Sequence, residues 1–361
     1  MSAAWPPEGA RTGARGEGTP VSATASAGSA GSAFPGGGAL HLRDMGSFHT
    51  AGRVVTLEGL PEREALMAEG GQPVKFNPNG EYVVEQVYVQ YFLPEVRNGR
   101  LPLVFWHGGG MTGKAWETTP DGRPGWLHYF LRRGWDCYVC DAVERGRSGF
   151  APLQSVWAEL PMSQTASDIY TRFRIGCDAS SYHADPARRR PYPNTQFPAE
   201  AFDRLVCQMV PRWTQTDAAI LRGYRQLLEQ LGRVSVICHS QGGVFGLRMA
   251  HAMPEHVRAL VGLEPASVPV LDTMAQPYRT PTLIVMGDNM DTDPRWPRMR
   301  TRLQAFQAEH PDVVDYLSLP SVGEHGNSHM LMMDRNHYAV AQRVNEWLEA
   351  TPRTILAGEQ M

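Results

Sequence analysis

Five short apolar runs, at 102–106, 136–140, 233–238, 259–263 and 282–286, constrain this chain more than any other feature. Each is continuous rather than alternating, as in a strand covered on both faces. Helical spacing separates them. Segment 126–133 lies between the first two, 241–252 follows the third, and 338–348 closes the chain. Segment 214–231 sets Ile220, Leu221, Tyr224, Leu227, Leu228 and Leu231 on one side. Strands alternating with helices predict an α/β fold, a mainly parallel central sheet flanked by helices. Two earlier segments, 53–60 and 83–93, read as strands. In the second, Val87, Val89 and Tyr91 alternate with Gln86, Tyr88 and Gln90, the period of a half-solvated antiparallel strand.

Two segments break this rhythm. Residues 1–38 hold nine of the 36 glycines and only two aromatics, Trp5 and Phe34, so they read as disordered. The α/β domain is expected to run from 39 to 361. Within it, 142–213 is rich in Pro, Arg and aromatic residues and shows no strand. So long a loop inside a domain is usually functional. It is expected to be an inserted lid over the carboxyl edge of the sheet, where such folds bind ligands.

Charge narrows the partners. Lys and Arg total 34 against 37 Asp and Glu, a net charge of −3, so no basic surplus exists to neutralise nucleic acid. No apolar run is long enough to span a bilayer. Cys137 and Cys140 read as small apolar members of a strand, since two further soft ligands for zinc are lacking. Cys177 and Cys207 would be free to pair only in an exported protein, and a reduced state is the expectation. Pro6, Pro7 and Glu8 interrupt any secretory signal, so a cytoplasmic location is expected. No metal and no organic cofactor is called for.

The sharpest local signal is Val234-Ser-Val-Ile-Cys-His-Ser240-Gln-Gly-Gly243. An apolar strand runs into a small-x-Ser-x-small turn and a helix follows, the setting of a nucleophile elbow. Ser240 must sit in a strained turn, so residues 238 and 242 approach each other and must be small. Gly242 meets that need, and Cys238 stands where glycine is usual. The plain alternative is a serine capping a helix. Strand 102–106 ends in His107-Gly108-Gly109-Gly110. A backbone N–H there, from Gly109 in preference to Gly110, is expected to pair with that of Gln241 as an oxyanion hole. Neither a P-loop nor a dinucleotide fingerprint fits these glycines.

A base is expected on the loop before the closing helix. His325, His329 and His337 lie there. His337 reads as a surface or cap residue, and His329 is preferred to His325. For the orienting acid two positions compete: Glu264 after strand 259–263, and Asp288 or Asp291 after strand 282–286. Both obey the chain order Ser, acid, His, and spacing does not decide between them.

Longer motifs carry a resemblance. His107-Gly-Gly-Gly-Met-Thr-Gly113, Trp116-Glu-Thr-Thr-Pro-Asp-Gly122, Arg145-Gly-Arg-Ser148, His239-Ser-Gln241, Glu264-Pro265, Gly326-Asn-Ser-His-Met330 and Asp334-Arg-Asn336 are the first group. With Thr195-Gln-Phe-Pro198 and Met209-Val-Pro-Arg-Trp213, they resemble a small group of bacterial α/β-hydrolases that are serine esterases. The resemblance runs from about residue 40 to the end. It implies an α/β-hydrolase fold, Glu264 as the acid, His329 as the base, an exported location in other members, and a homodimer. One esterase of that group carries a Cys-Cys pair at the oxyanion loop where this chain has Gly109-Gly110.

These residues describe a hydrolase of a small-molecule carboxylic ester that forms an acyl-enzyme on Ser240. Trp116, Phe150, Met209 and Trp213, with Trp157 and Phe197, are candidates for an apolar substrate pocket, core packing being the equal alternative. Met330, Met332 and Met333 read as packing. A thioesterase, amidase or lactonase would use the same groups. A carbon–carbon hydrolase or a non-catalytic receptor on this fold are the remaining rivals.

Overall fold

An eight-stranded sheet carries the residues singled out above at one of its edges. The computed structural model describes residues 38–351 except 154, 272–275 and 292. The segment expected to be disordered, 1–38, therefore lies outside the described residues but for Gly38. The strands are β1 (Leu42–Leu57), β2 (Gly80–Pro94), β3 (Leu103–Trp106), β4 (Cys137–Asp141), β5 (Val234–His239), β6 (Val257–Leu263), β7 (Thr282–Met286) and β8 (Val314–Ser318). Their order is β1-β2-β4-β3-β5-β6-β7-β8. β2 pairs antiparallel with β1 and β4, and every later pairing is parallel.

Register brings the functional segments level. Trp106 lies opposite Cys238, His239 opposite Leu263, and Leu263 opposite Val285. The loops leaving β3, β5, β6 and β7 thus emerge side by side at the carboxyl edge, where open α/β sheets place ligands.

The helices are α1 (Trp126–Arg132), α2 (Ala166–Arg172), α3 (Phe202–Val206), α4 (Asp217–Leu231), α5 (Gln241–Ala252), α6 (Arg295–Glu309) and α7 (His337–Ala350). Alternate residues of each parallel strand feed two separate cores, which is why the strands read as unbroken apolar runs. Leu103, Phe105 and Val261 pack with Phe130 of α1 and Val344 of α7. Val104, Trp106 and Val236 pack with Tyr224 of α4, Phe245 of α5 and Phe306 of α6. The Trp106 and Tyr224 rings stack at 4.0 Å between centroids. Burying one such side chain contributes roughly 1.5–3 kcal/mol.

The sequence pattern missed β8 and α6. β8 is an edge strand in which only Val314 is fully buried. α6 buries Trp296, Leu303 and Phe306 alone, a stripe too thin to announce a helix, and Pro297 in its first turn is compatible with one. His337, expected at the surface, does head α7 but is buried, and its carbonyl accepts from Trp126 Nε1.

Segment 142–213 folds into α2, α3 and short 3₁₀ turns. It is tied to the loop before α7: Gln196 N donates to Gly326 O at 2.8 Å, and the Arg335 guanidinium donates to Phe197 O at 3.1 Å. Gly326, at φ +77°, allows the approach, because a Cβ there would lie 1.6 Å from Asn194 O.

Helix α5 sits equally close to β3. A Cβ on Gly242 would fall 2.6 Å from His107 O and 2.9 Å from Trp106 O, both backbone atoms that cannot step aside. Gly242→Ala is therefore expected to destabilise the protein by about 1–3 kcal/mol. Urea unfolding of the variant against the parent chain checks this.

Candidate active site

Ser240 occupies the turn between β5 and α5 with φ 51° and ψ −115°, a conformation costly for any residue but glycine. The turn is held from both sides: Ser240 N donates to Leu263 O at 3.0 Å, and Ser240 O accepts from Ala266 N at 2.8 Å. The small neighbours required at 238 and 242 are present, with a twist. Cys238 is buried, its thiol donates to Val261 O at 3.3 Å, and Gly246 one turn into α5 leaves room for its sulfur. A Cβ on Gly246 would lie 2.7 Å from Cys238 Sγ.

Glu264 ends β6 with φ 45° and is wholly buried. One carboxylate oxygen accepts from Gly287 N at 2.7 Å and from the Arg174 guanidinium. The other meets His329 Nδ1 at 2.6 Å. Burial opposes ionisation of Glu264, but Arg174 and His329 outweigh it and hold the carboxyl at about 2. Arg174, also fully buried and at φ 57°, donates through Nε to Asp288 O at 2.7 Å and lies 4.4 Å over the Trp296 ring. Sequence reasoning missed Arg174. The one available signal was that a lone carboxylate at a buried strand end needs a partner.

His329 is clamped on several sides. Its ring meets those of Phe173, His239 and Trp296 at 5.1, 4.5 and 4.8 Å. Its backbone N donates to Phe173 O, and its carbonyl accepts from His239 Nε2 at 2.9 Å. Burial lowers the His329 pKa, with Glu264 acting in the opposite direction. The ionised Glu264 accepts a hydrogen bond from Nδ1–H, which leaves Nε2 as the free basic nitrogen. Behind this loop, Asp334 accepts from Ser328 N, Ser328 Oγ and Asn327 Nδ2. Burial pushes the Asp334 carboxyl up to about 7.

The competing residues lie elsewhere. His325 is 62% exposed and pairs at 3.5 Å with Asp288, so the two alternatives meet each other outside the buried site. Asp291 is exposed and pairs with Arg300.

Ser240, His329, Gln241 and Gly109 line one cavity of about 300 Å³. In this structure the Ser240 hydroxyl makes no side-chain hydrogen bond among the described residues, and it shares the cavity with the His329 ring. The glycine loop is braced from behind. His107 Nε2 accepts from Ala142 N at 3.0 Å, which makes Nδ1 the donor to Gly108 O at 2.8 Å. Burial holds His107 neutral, at about 4. Gly110 turns away at φ +71°, with its carbonyl on Val210 N and the Met209 methyl against it.

The four candidate pocket residues do not line this cavity. Trp116 is buried in the core beside Phe105 and Trp126. Trp213 is buried with its Nε1 on Glu159 O, and Phe150 packs on it at 4.8 Å while remaining 50% exposed. Trp157 and Phe197 are core residues, as are Met330, Met332 and Met333. The apolar lining comes from Phe173, Trp296 and Met299, and the 142–213 segment adds Gln164, Arg172 and Arg212. Among the described residues no group of His, Cys, Asp and Glu is placed to hold a metal, and no helix is long and apolar enough to cross a membrane. All five cysteines are unpaired.

Comparison with known proteins agrees with this architecture. The sequence pattern of the alpha/beta hydrolase fold family matches residues 102–294. The atomic-resolution structure of a novel bacterial esterase superposes with a TM-score of 0.74 at 32% identity, covering 87% of this chain and 98% of that one. The probable secreted lipase phiG of Fungal sp. (strain ATCC 74256) is 27% identical over 335 residues, 76% of this chain and 88% of the relative.

Arg174→Met removes half of a buried ion pair, a change that typically costs about 3–5 kcal/mol. Glu264 titrates at about 2 when folded, below its ordinary 4.5, so its contribution to stability is complete above pH 4.5 and is lost as pH falls towards 2. Without Arg174 that window moves up. The acid-unfolding midpoint followed by circular dichroism is expected at higher pH in Arg174→Met than in the parent chain.

Proposed function

The chain belongs to the α/β-hydrolase fold family, among its esterases, and from that premise we propose that it hydrolyses carboxylic esters through an acyl-enzyme on Ser240. The observation that carries the proposal is the 2.6 Å contact from His329 Nδ1 to the buried Glu264 carboxylate, beside a strained serine in one cavity. With Nδ1 engaged, His329 Nε2 takes the proton of Ser240 as its oxygen attacks the ester carbonyl. Hydrogen bonds of this kind tighten when substrate is bound. Glu264 stabilises the imidazolium that forms, and Arg174 keeps Glu264 ionised.

The carbonyl oxygen becomes an oxyanion, accepted by the N–H groups of Gly109 and Gln241. Each such donor contributes about 3 kcal/mol to lowering the barrier. Gln241 also begins α5, whose N-terminal dipole favours negative charge. His329 then protonates the leaving alcohol. Water, activated by the same nitrogen, cleaves the acyl-enzyme to release the acid and regenerate Ser240.

A fluorophosphonate is expected to label the protein stoichiometrically and to leave Ser240→Ala unlabelled, with intact-mass spectrometry as the readout. Turnover of a simple ester should fall by roughly 10⁴-fold in Ser240→Ala and His329→Ala. Glu264→Gln should lose most activity, whereas Asp288→Asn and His325→Ala should stay within a few-fold of the parent chain. Parity between Glu264→Gln and Asp288→Asn would remove Glu264 from its role.

The base must be neutral to act. Because burial lowers the His329 pKa, kcat/KM should rise with pH through a midpoint below the ordinary 6.5, keeping activity into mildly acidic solution. A midpoint above 6.5 in a pH–rate profile would contradict this environment for the base.

A further inference from the structure

The cavity that holds Ser240 is cationic. Arg172, Arg212 and Arg295 line it, and none of its lining residues is a carboxylate. Two of the three arginines are neutralised by neighbours outside the lining. Arg172 pairs with Asp168 at 3.0 Å, and Arg295 donates through Nε to Asp293 at 2.8 Å. Arg212 is different. Among the described residues its side chain makes no ion pair and no hydrogen bond, and its Nε is buried without a partner. The carboxylate that acts on it through space, Asp217, accepts instead from Gln241 Nε2 at 3.4 Å. Arg172 and the buried Arg145 both repel it.

Position makes this unpaired charge useful. A Cβ on Gly109 would lie 3.4 Å from Arg212 Cζ, so the guanidinium stands directly beside the glycine assigned to the oxyanion hole. A half-buried cation without a counter-charge is costly, and its cost falls when an anion takes the vacant fork. The oxyanion already has two amide donors. The planar fork matches a carboxylate, which it binds through two parallel N–H groups.

We propose that the substrate is an ester that also carries a free carboxylate, a half-ester of a short dicarboxylic acid, with the carboxylate seated on Arg212. The proposal rests on the esterase reading above and names the substrate class of that site. Because the guanidinium lies beside Gly109, a short link between the carboxylate and the scissile carbonyl is favoured. Phe173, Trp296 and Met299 then surround the remainder of the molecule. Hydrolysis consumes one water and yields the dicarboxylate, an alcohol and one proton released to solvent.

The test compares monomethyl and dimethyl esters of malonate, succinate and glutarate, following methanol release. The parent chain should favour at least one monomethyl ester over its dimethyl partner by tenfold or more in kcat/KM. Arg212→Met should reduce that ratio by roughly 10- to 100-fold, the range expected for a bond to a charged group, and Arg212→Lys should restore part of it. The matching free dicarboxylate should inhibit the parent chain competitively against the dimethyl ester, a measurement that does not depend on a variant folding. Equal turnover of every pair, absence of that inhibition, or an Arg212→Met variant that slows both esters equally would overturn the proposal. Fluorophosphonate labelling separates the two layers. Labelled protein with no charge preference overturns the substrate class alone, and unlabelled protein overturns the esterase reading beneath it.

Discussion

The proposed chemistry depends on keeping Glu264 ionised in a fully buried place. Its carboxylate is fully buried and satisfied on both oxygens, by Gly287 N and Arg174 on one and His329 on the other. Burial alone would neutralise it, and a neutral acid would neither fix the imidazole tautomer nor balance an imidazolium. Arg174 reverses that outcome. The same arginine also spans to Asp288 O and covers Trp296, one of the rings against His329. One guanidinium therefore sets both the charge of Glu264 and part of the cage around His329.

That arginine comes from the 142–213 segment, not from the sheet. The segment reaches the site in three ways: Arg174 under Glu264, Phe173 against the His329 ring and backbone, and Arg172 and Arg212 in the cavity wall. It also packs closely against Gly326, three residues before His329. The insertion thus supplies contacts to both Glu264 and His329. Asp288, the other position offered by the sequence, pairs with His325, and its oxygens accept from Gly326 N and Asn289 N.

Much of this was legible in the sequence. Continuous apolar runs located β3 to β7 because both faces of a parallel sheet are covered, and the small-x-Ser-x-small turn located Ser240 because sterics leave few residue types there. Chain order permits both Glu264 and the aspartates, and longer motif similarity favours Glu264; in the structure it is Glu264 that meets His329, at 2.6 Å. Three features were not legible. β8 and α6 bury too few residues to leave a period. The pocket residues were chosen for being large and apolar, yet Trp116 and Trp213 pack in the interior while arginines line the cavity. Arg174 has no local mark among the many arginines of its segment, because its role exists only after residues 90 positions apart meet.

The cysteine at 238 has a consequence for how this turn can change over evolutionary time. Its sulfur fits because Gly246 has no side chain, so the two positions form a coupled pair across the strand and the helix. Glycine at 238 leaves a hole beside 246, and any larger residue at 246 is excluded while the cysteine stays. Directed evolution at 246 will therefore show epistasis with 238, and with Leu260, whose Cδ1 would lie 2.9 Å from a Cβ there.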